Sequence, residues 1–387
     1  MHLLHQPGAR AGLPGLIEPC VGPFAVRARK RIAIGPDSLA FGGGQPGLAQ
    51  RLQTHFNALY GDPGPGFIPL DHATLQRSLA DGDFALSNGF SAIAALPWSD
   101  PLRRRALFGK GLRCRNSDTD DASATDYLLL SSASASVTAV DLYFEWTAAG
   151  QSFRLRQWPS DSLASAVLVS QADFPGVGQI HRVTLLMDVG GVHAGKGVNV
   201  ERVVCQGEDV CFWAVEFHEA AAGGACVQVI DLAGPGVSVA DWSAMDDGRA
   251  RVWAQLLQAD VFLLAAGVSD RGEPDQDDFA ARAAVACFSG RLSRVISRLQ
   301  ACPRTCVALA RAPDTADAAD TALRLFDRAL KAAATAHGCA FFDERDFLGD
   351  FAAAAAAGYM DADGVHPSAA GNARRAEGYL ARLARFG

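Results

Sequence analysis

Residues 31–34 (RIAI) form a short apolar run of strand length. A Pro/Asp/Ser turn follows, and Leu48, Leu52, Phe56 and Leu59 then recur at the spacing of one helical face. This pattern predicts a β-turn-α unit. From Gly61 to about Gly223 the helical period fades. Short runs rich in β-branched and aromatic residues, punctuated by Gly, Pro and Ser, replace it over 127–130, 140–146, 152–157, 166–169, 183–189, 198–204 and 211–217. Strands so spaced predict a β-sandwich or jelly roll. After Gly224, strands over 226–232, 261–266, 306–310 and 339–342 alternate with helices over 249–257, 279–299, 318–336 and 368–386. The alternation predicts a parallel sheet covered by helices on both faces.

The simplest architecture is one α/β domain, residues 29–66 and 224–387, interrupted by an all-β insert over 67–223. Residues 1–28 are rich in Gly, Pro and Arg without a sustained period, and read as an extended arm able to dock on a partner.

Composition narrows the function classes. The 387 residues are 49% apolar and 20% charged, as in folded proteins with real cores. A formal charge of −7 runs against a nucleic-acid partner, which would need a basic face for the phosphates. No apolar run reaches the roughly 18 to 20 residues of a membrane helix. The N-terminus lacks the charged start, apolar core and cleavage site of a secretory signal, so no signal peptide is expected. Nine cysteines include no C-x-x-C pair, which argues against zinc. Cys205/Cys211 and Cys302/Cys306 are spaced to close small disulfides, but reduced, buried thiols are favoured. His55, His72, His181, His193, His218 and His337 read as structural or surface residues. No His and carboxylate cluster has metal-ligand spacing and no phosphate-binding Gly loop occurs, so no metal or cofactor is expected.

Ser38 directly follows the first predicted strand, so its hydroxyl falls at the carboxyl edge of the sheet, where open α/β sheets bind ligands. A serine nucleophile needs a base. Asp363 and His366 supply one: Pro367 disfavours helix at His366 and Gly364 lets the chain turn, which predicts a loop. A carboxylate three residues before the histidine can fix its tautomer and leave Nε2 to accept the serine proton. The segment 230–237 (IDLAGPGV) ends a strand with small residues whose N–H groups, Gly236 among them, can face an oxyanion. Gly267-Val-Ser269-Asp270 ends the next strand.

An early G-D-S-L, a mid-chain Gly turn, G-x-N-D and a late D-x-x-H, in this order and each at a strand end, are the four blocks of the SGNH/GDSL hydrolases, which the chain resembles over about 30–60 and 224–387. The resemblance implies a flavodoxin-like three-layer domain in which Ser38 is the nucleophile, Asp363 and His366 complete the triad, and Ser38, Gly236 and Ser269 form the oxyanion hole. Two positions depart from the family pattern: Pro36 replaces a glycine, and Ser269 replaces the oxyanion asparagine. The absent G-x-S-x-G elbow separates the chain from the ordinary α/β-hydrolases.

The insert resembles that of two-domain SGNH esterases which remove acetyl groups from cell-surface or cell-wall glycans, some carried on phage tails. The segments 60–69 (YGDPGPGFIP) and 227–242 carry this likeness. It implies an acetylated polysaccharide or peptidoglycan-type glycan as substrate; a β-sandwich can hold one through exposed aromatics, for which Trp98, Trp146, Trp158 and Trp213 are candidates, with at least half of them expected in the core. It also implies virion or tail proteins as partners of the arm. Localisation is then virion-associated if the chain is phage-encoded, and otherwise cytoplasmic or exported by a non-standard route. Two alternatives stand beside it: a catalytically weak or inactive glycan-binding virion protein, and an intracellular lipase or thioesterase.

Overall fold

In chain order, β1 (Lys30–Pro36) and α1 (Leu48–Tyr60) open the fold. There follow β2 (Phe67–Pro69), β3 (Phe84–Leu86), β4 (Phe90–Ala92), α2 (Pro101–Arg105), β5 (Leu112–Cys114), β6 (Tyr127–Leu130), β7 (Val137–Trp146), β8 (Ser152–Gln157), β9 (Val167–Ser170), β10 (His181–Leu186), β11 (Val198–Val204) and β12 (Val210–Glu219). Next come β13 (Val227–Asp231), α3 (Val239–Ser243), α4 (Asp247–Leu257), β14 (Val261–Ala266), α5 (Asp278–Gln300), β15 (Cys306–Arg311) and α6 (Thr321–His337). The chain closes with β16 (Ala340–Asp343), α7 (Arg345–Leu348), α8 (Phe351–Ala356) and α9 (Ala369–Leu383). This computed structural model describes residues 30–37, 46–62, 64, 66–71, 74–75, 84–86, 90–114, 127–131, 137–157, 167–187, 198–204, 210–219, 226–270, 278–303, 305–316 and 321–383.

A parallel sheet runs β13-β1-β14-β15-β16. Counted within the α/β domain this is the order 2-1-3-4-5 of flavodoxin-like folds. The strands read as apolar runs because helices cover both faces. Ile32 and Ile34 of β1 pack with Leu48, Leu52, Phe56 and Tyr379, whereas Ala33 joins Trp242, Trp253, Phe262, Leu292 and Phe326 on the other face. Gly35 has no room for a side chain, since a Cβ there would lie 2.7 Å from the Trp242 ring. Leu59 departs from expectation: it lies in line with Leu48 by helical period yet is 58% exposed, so the last turn of α1 overhangs its packing surface.

The β-rich segment forms two antiparallel sheets, β10-β7-β12-β5-β4 with β2 also paired to β12, and β3-β6-β11-β8-β9. Side chains from both enclose one apolar core around Phe144, Trp146, Phe153, Val200 and Phe212, which makes it a β-sandwich. The strand expected over 183–189 begins earlier, at His181, and β2 to β5 and α2 are additions to the expected elements. Trp146 and Trp213 are fully buried and belong to the core, as expected for at least half of the four tryptophans, whereas Trp98 is half-buried. Trp158 and the arm 1–28 lie outside the described residues. Cys302 and Cys306 are free thiols. No described helix is long and apolar enough to cross a membrane.

Candidate active site

The loops after β1, β13 and β14 meet at the carboxyl edge of the parallel sheet, at the strand-order reversal between β1 and β14 where such sheets bind ligands. Hydrogen bonds tie them together. Asp37, 1% exposed at the end of β1, donates its N–H to Ala265 O (3.3 Å) and accepts the Ser269 N–H at Oδ2 (3.3 Å). The Gly234 N–H donates to Pro36 O (3.2 Å), which draws the β13 loop against β1. Asp270 accepts the Val239 and Ala240 N–H groups, each at 3.1 Å, and so binds the β14 loop to the start of α3. Burial pushes the Asp270 carboxyl up to about 6, with the nearby Asp37 and Asp241 charges adding to the rise and the two N–H bonds opposing it.

Ser38 is the residue after Asp37 and lies outside the described residues. Gly236 is exposed in the β13 loop at φ +65°, and its N–H meets no acceptor among the described residues. It suits an oxyanion donor. The Ser269 N–H is committed to Asp37, while its half-buried hydroxyl has no partner among the described residues.

Asp363 and His366 stand on a loop pinched by the Met360–Pro367 bridge and by Asp361 N–H donating to His366 O (2.8 Å). Asp363 Oδ1 accepts the Val365 and His366 N–H groups at 2.9 Å each, and Oδ2 lies 2.6 Å from His366 Nδ1. The His366 and Val365 amides and the imidazole hold the Asp363 carboxyl down at about 2. An ionised acceptor at Nδ1 favours the tautomer with its proton there, which makes Nε2 the basic ring nitrogen.

A buried brace, unforeseen from the sequence, fixes this loop from below. Asn372 Nδ2 donates to Pro367 O (3.3 Å), Arg375 Nη1 to Asn372 Oδ1 (2.8 Å), and the same guanidinium makes a bidentate pair with Glu344 at 2.8 Å on both arms. The Tyr379 hydroxyl donates to Glu344 Oε1 (2.6 Å), and all four side chains belong to fully buried residues. Burial works against the Arg375 charge, but Glu344, with Tyr379 and Asp37 adding, holds it above its ordinary value.

Asp141, Glu216 and His218 bring ligand atoms within 4.8 Å of one another, a grouping that sequence spacing did not reveal because it forms across the β7–β12 ladder. Its acids already face other groups of the chain: Arg31 pairs with Glu216, Arg182 lies 3.6 Å from Asp141, and His218 Nε2 lies 3.0 Å from Asp141. His181 and His337 also have structural contacts, with Gly176 O and Ser293 Oγ. His72 and His193 lie outside the described residues.

Residues 207–374 match the GDSL-like Lipase/Acylhydrolase family. This match spans less than half of the chain, from β12 into α9, and supports a carboxylic ester hydrolase of GDSL-like type. A solved structure described as a peptidoglycan O-acetylesterase shares the whole two-part fold, with a TM-score of 0.69 and 16% identity over 97% of this chain and 96% of that one. An acetyl xylan esterase covers 40% of this chain and 81% of its own at 18% identity and a TM-score of 0.33. A lipase/acylhydrolase from Enterococcus faecalis covers 41% and 77% at 17% identity and a TM-score of 0.33. No curated protein sequence matches the chain.

Proposed function

We propose that this chain is a serine esterase that removes O-acetyl groups from a bacterial cell-surface or cell-wall glycan through a covalent acyl-serine. The observation that carries the reading is the 2.6 Å contact between Asp363 and His366 Nδ1 on a braced loop of an SGNH-type domain. Fold likeness to a peptidoglycan O-acetylesterase along nearly the whole chain, insert included, supports the glycan. His366 Nε2 takes the Ser38 proton as Oγ bonds to the acetyl carbon, and the Ser38 and Gly236 amides hold the oxyanion. The protonated imidazole then gives its proton to the departing sugar oxygen. Water, deprotonated by the same nitrogen, releases acetate and restores Ser38. Ser38→Ala is expected to abolish release of 4-nitrophenol from its acetate while the circular dichroism spectrum is retained; unchanged turnover overturns the assignment.

The Ser269 geometry favours one other reading, a glycan-binding virion protein with little turnover. Its N–H is occupied by Asp37, and a hydroxyl reaches less far than the carboxamide it replaces. Labelling of Ser38 by a fluorophosphonate separates the two, since only a working triad reacts. The virion setting itself rests on the sequence likeness of segments 60–69 and 227–242, with residues 1–28 as the arm that would dock.

A further inference from the structure

We propose that a cavity between the inserted segment and the β13 loop is a subsite for a carboxylate carried by the substrate glycan, an inference that rests on the esterase reading above. The cavity measures about 240 Å³; Arg103, Lys110 and Asp71 line it from the insert, and Gly234, Pro235 and Val237 line it from the hydrolase domain. Pockets for drug-sized ligands run from about 300 Å³ upward, so this one suits a single sugar or its substituent. Its hydrolase wall is the loop that presents Gly236, so a group seated there lies beside the ester being cleaved.

Charge selects the occupant. Two cations and one carboxylate line the cavity. The Lys110 ammonium, on a residue only 4% exposed, donates to Thr74 Oγ1 (2.8 Å) and lies 3.5 Å from Asp71, which takes up its charge. Arg103 supplies the surplus. Its guanidinium lies 4.4 Å from the Trp98 ring centroid and Nη1 donates to Leu96 O, so the fork is held in place before any ligand arrives. Arginine offers five N–H donors in a plane matched to carboxylates, and beyond the Nη1 bond to Leu96 O and a buried Nε the fork keeps further donors. Asp241 and Asp71 both act on Arg103; Asp241 lies outside the lining, where its carboxylate accepts the Ser238 N–H and hydroxyl, and the one lining carboxylate, Asp71, is shared by two cations.

The turn that places Lys110 is built at a cost. Phe108 and Gly109 both have positive φ, +49° and +80°, a conformation that a phenylalanine seldom adopts. Burial offsets it: the Phe108 ring is 3% exposed, 4.5 Å from the Trp242 ring and 5.8 Å from that of Phe262. The insert therefore drives one side chain into the hydrolase core and holds its cations against the β13 loop. On this reading the insert is a wall of the active site rather than a separate binding module.

The class of ligand is a sugar acid, either a hexuronic acid or a hexosamine bearing a lactyl ether. Calorimetric binding of matched pairs tests it without relying on turnover: oligogalacturonate against oligogalactose, and N-acetylglucosaminyl-N-acetylmuramic acid against di-N-acetylchitobiose. The acidic member of at least one pair is expected to bind about ten-fold tighter, less so at high salt, and the pair that responds identifies the source. Arg103→Gln should erase the preference; Lys110→Met, at a more buried site, should do the same if it folds. Equal or undetectable binding within both pairs, or a preference that survives in Arg103→Gln, overturns the proposal. The esterase reading stands or falls separately, on the Ser38→Ala experiment.

Discussion

Asp363 uses every strong hydrogen bond within its reach to stay ionised. Two backbone amides and the imidazole all donate to it, which is why its carboxyl sits at about 2 although it is largely exposed. The consequence is an orienting residue that does not titrate in the working range. Asp363→Asn presents an amide to Nδ1 and favours the wrong tautomer, so kcat on 4-nitrophenyl acetate is expected to fall by about 10³ to 10⁴ with the fold intact. The acid limb of the wild-type pH profile should show no contribution from Asp363 above pH 4. A loss of less than ten-fold would contradict the role given to it. On the proposed esterase reading Ser269 is the weaker member at this scale, because its backbone donor is already engaged with Asp37 and only a short hydroxyl is left to serve an oxyanion.

At the scale of elements, Asp270 joins the β14 loop to the start of α3, directly after the β13 loop. Its carboxyl, raised to about 6, keeps its proton in the folded state to a higher pH than in the unfolded chain, where the ordinary value is near 4. Between those values the fold binds more protons, so the contribution of Asp270 to stability is full below about pH 4 and is lost as pH rises through 6. The difference in Tm between wild type and Asp270→Asn should therefore fall by a few degrees from pH 4 to pH 7. A flat difference would show that Asp270 is not the titrating link. Local pattern made the rest of this region legible. Asp363 and His366 are three residues apart, β14 is a continuous apolar run and α5 a long helical segment, all readable from the chain itself. The brace was not legible, because Glu344 and Arg375 lie in separate elements and no period connects them. Nor were β2 to β5, each three residues long and too short to show alternation. The Phe108 turn broke the local rule that bulky residues avoid positive φ, and only its distant partners Trp242 and Phe262 explain it.

Across the whole molecule, the insert and the α/β domain are chemically one body. A single apolar core contains Phe67, Ile93, Phe108 and Trp213 from the insert with Ile230, Trp242, Trp253 and Phe262 from the α/β domain. Polar links cross the same boundary: Arg31 of β1 pairs with Glu216 of β12, Gln228 Nε2 donates to Phe67 O (2.9 Å), and Trp253 Nε1 donates to Arg105 O (3.0 Å). Glu145 is fully buried between Arg105 and Arg249, each at 3.0 Å. Burial pushes its carboxyl up while the two guanidinium groups oppose the rise. Removing one partner from such a buried charge costs about 3 to 5 kcal/mol. Arg249→Met should accordingly lower Tm by several degrees. Because Arg249 stands on α4 and Glu145 on β7, the loss should appear equally in probes of either part, as one shifted calorimetric transition. Two resolved transitions, with only the sandwich destabilised, would mean that the shared core does not couple the domains, and the insert would then be a module joined to the hydrolase rather than a part of its active site.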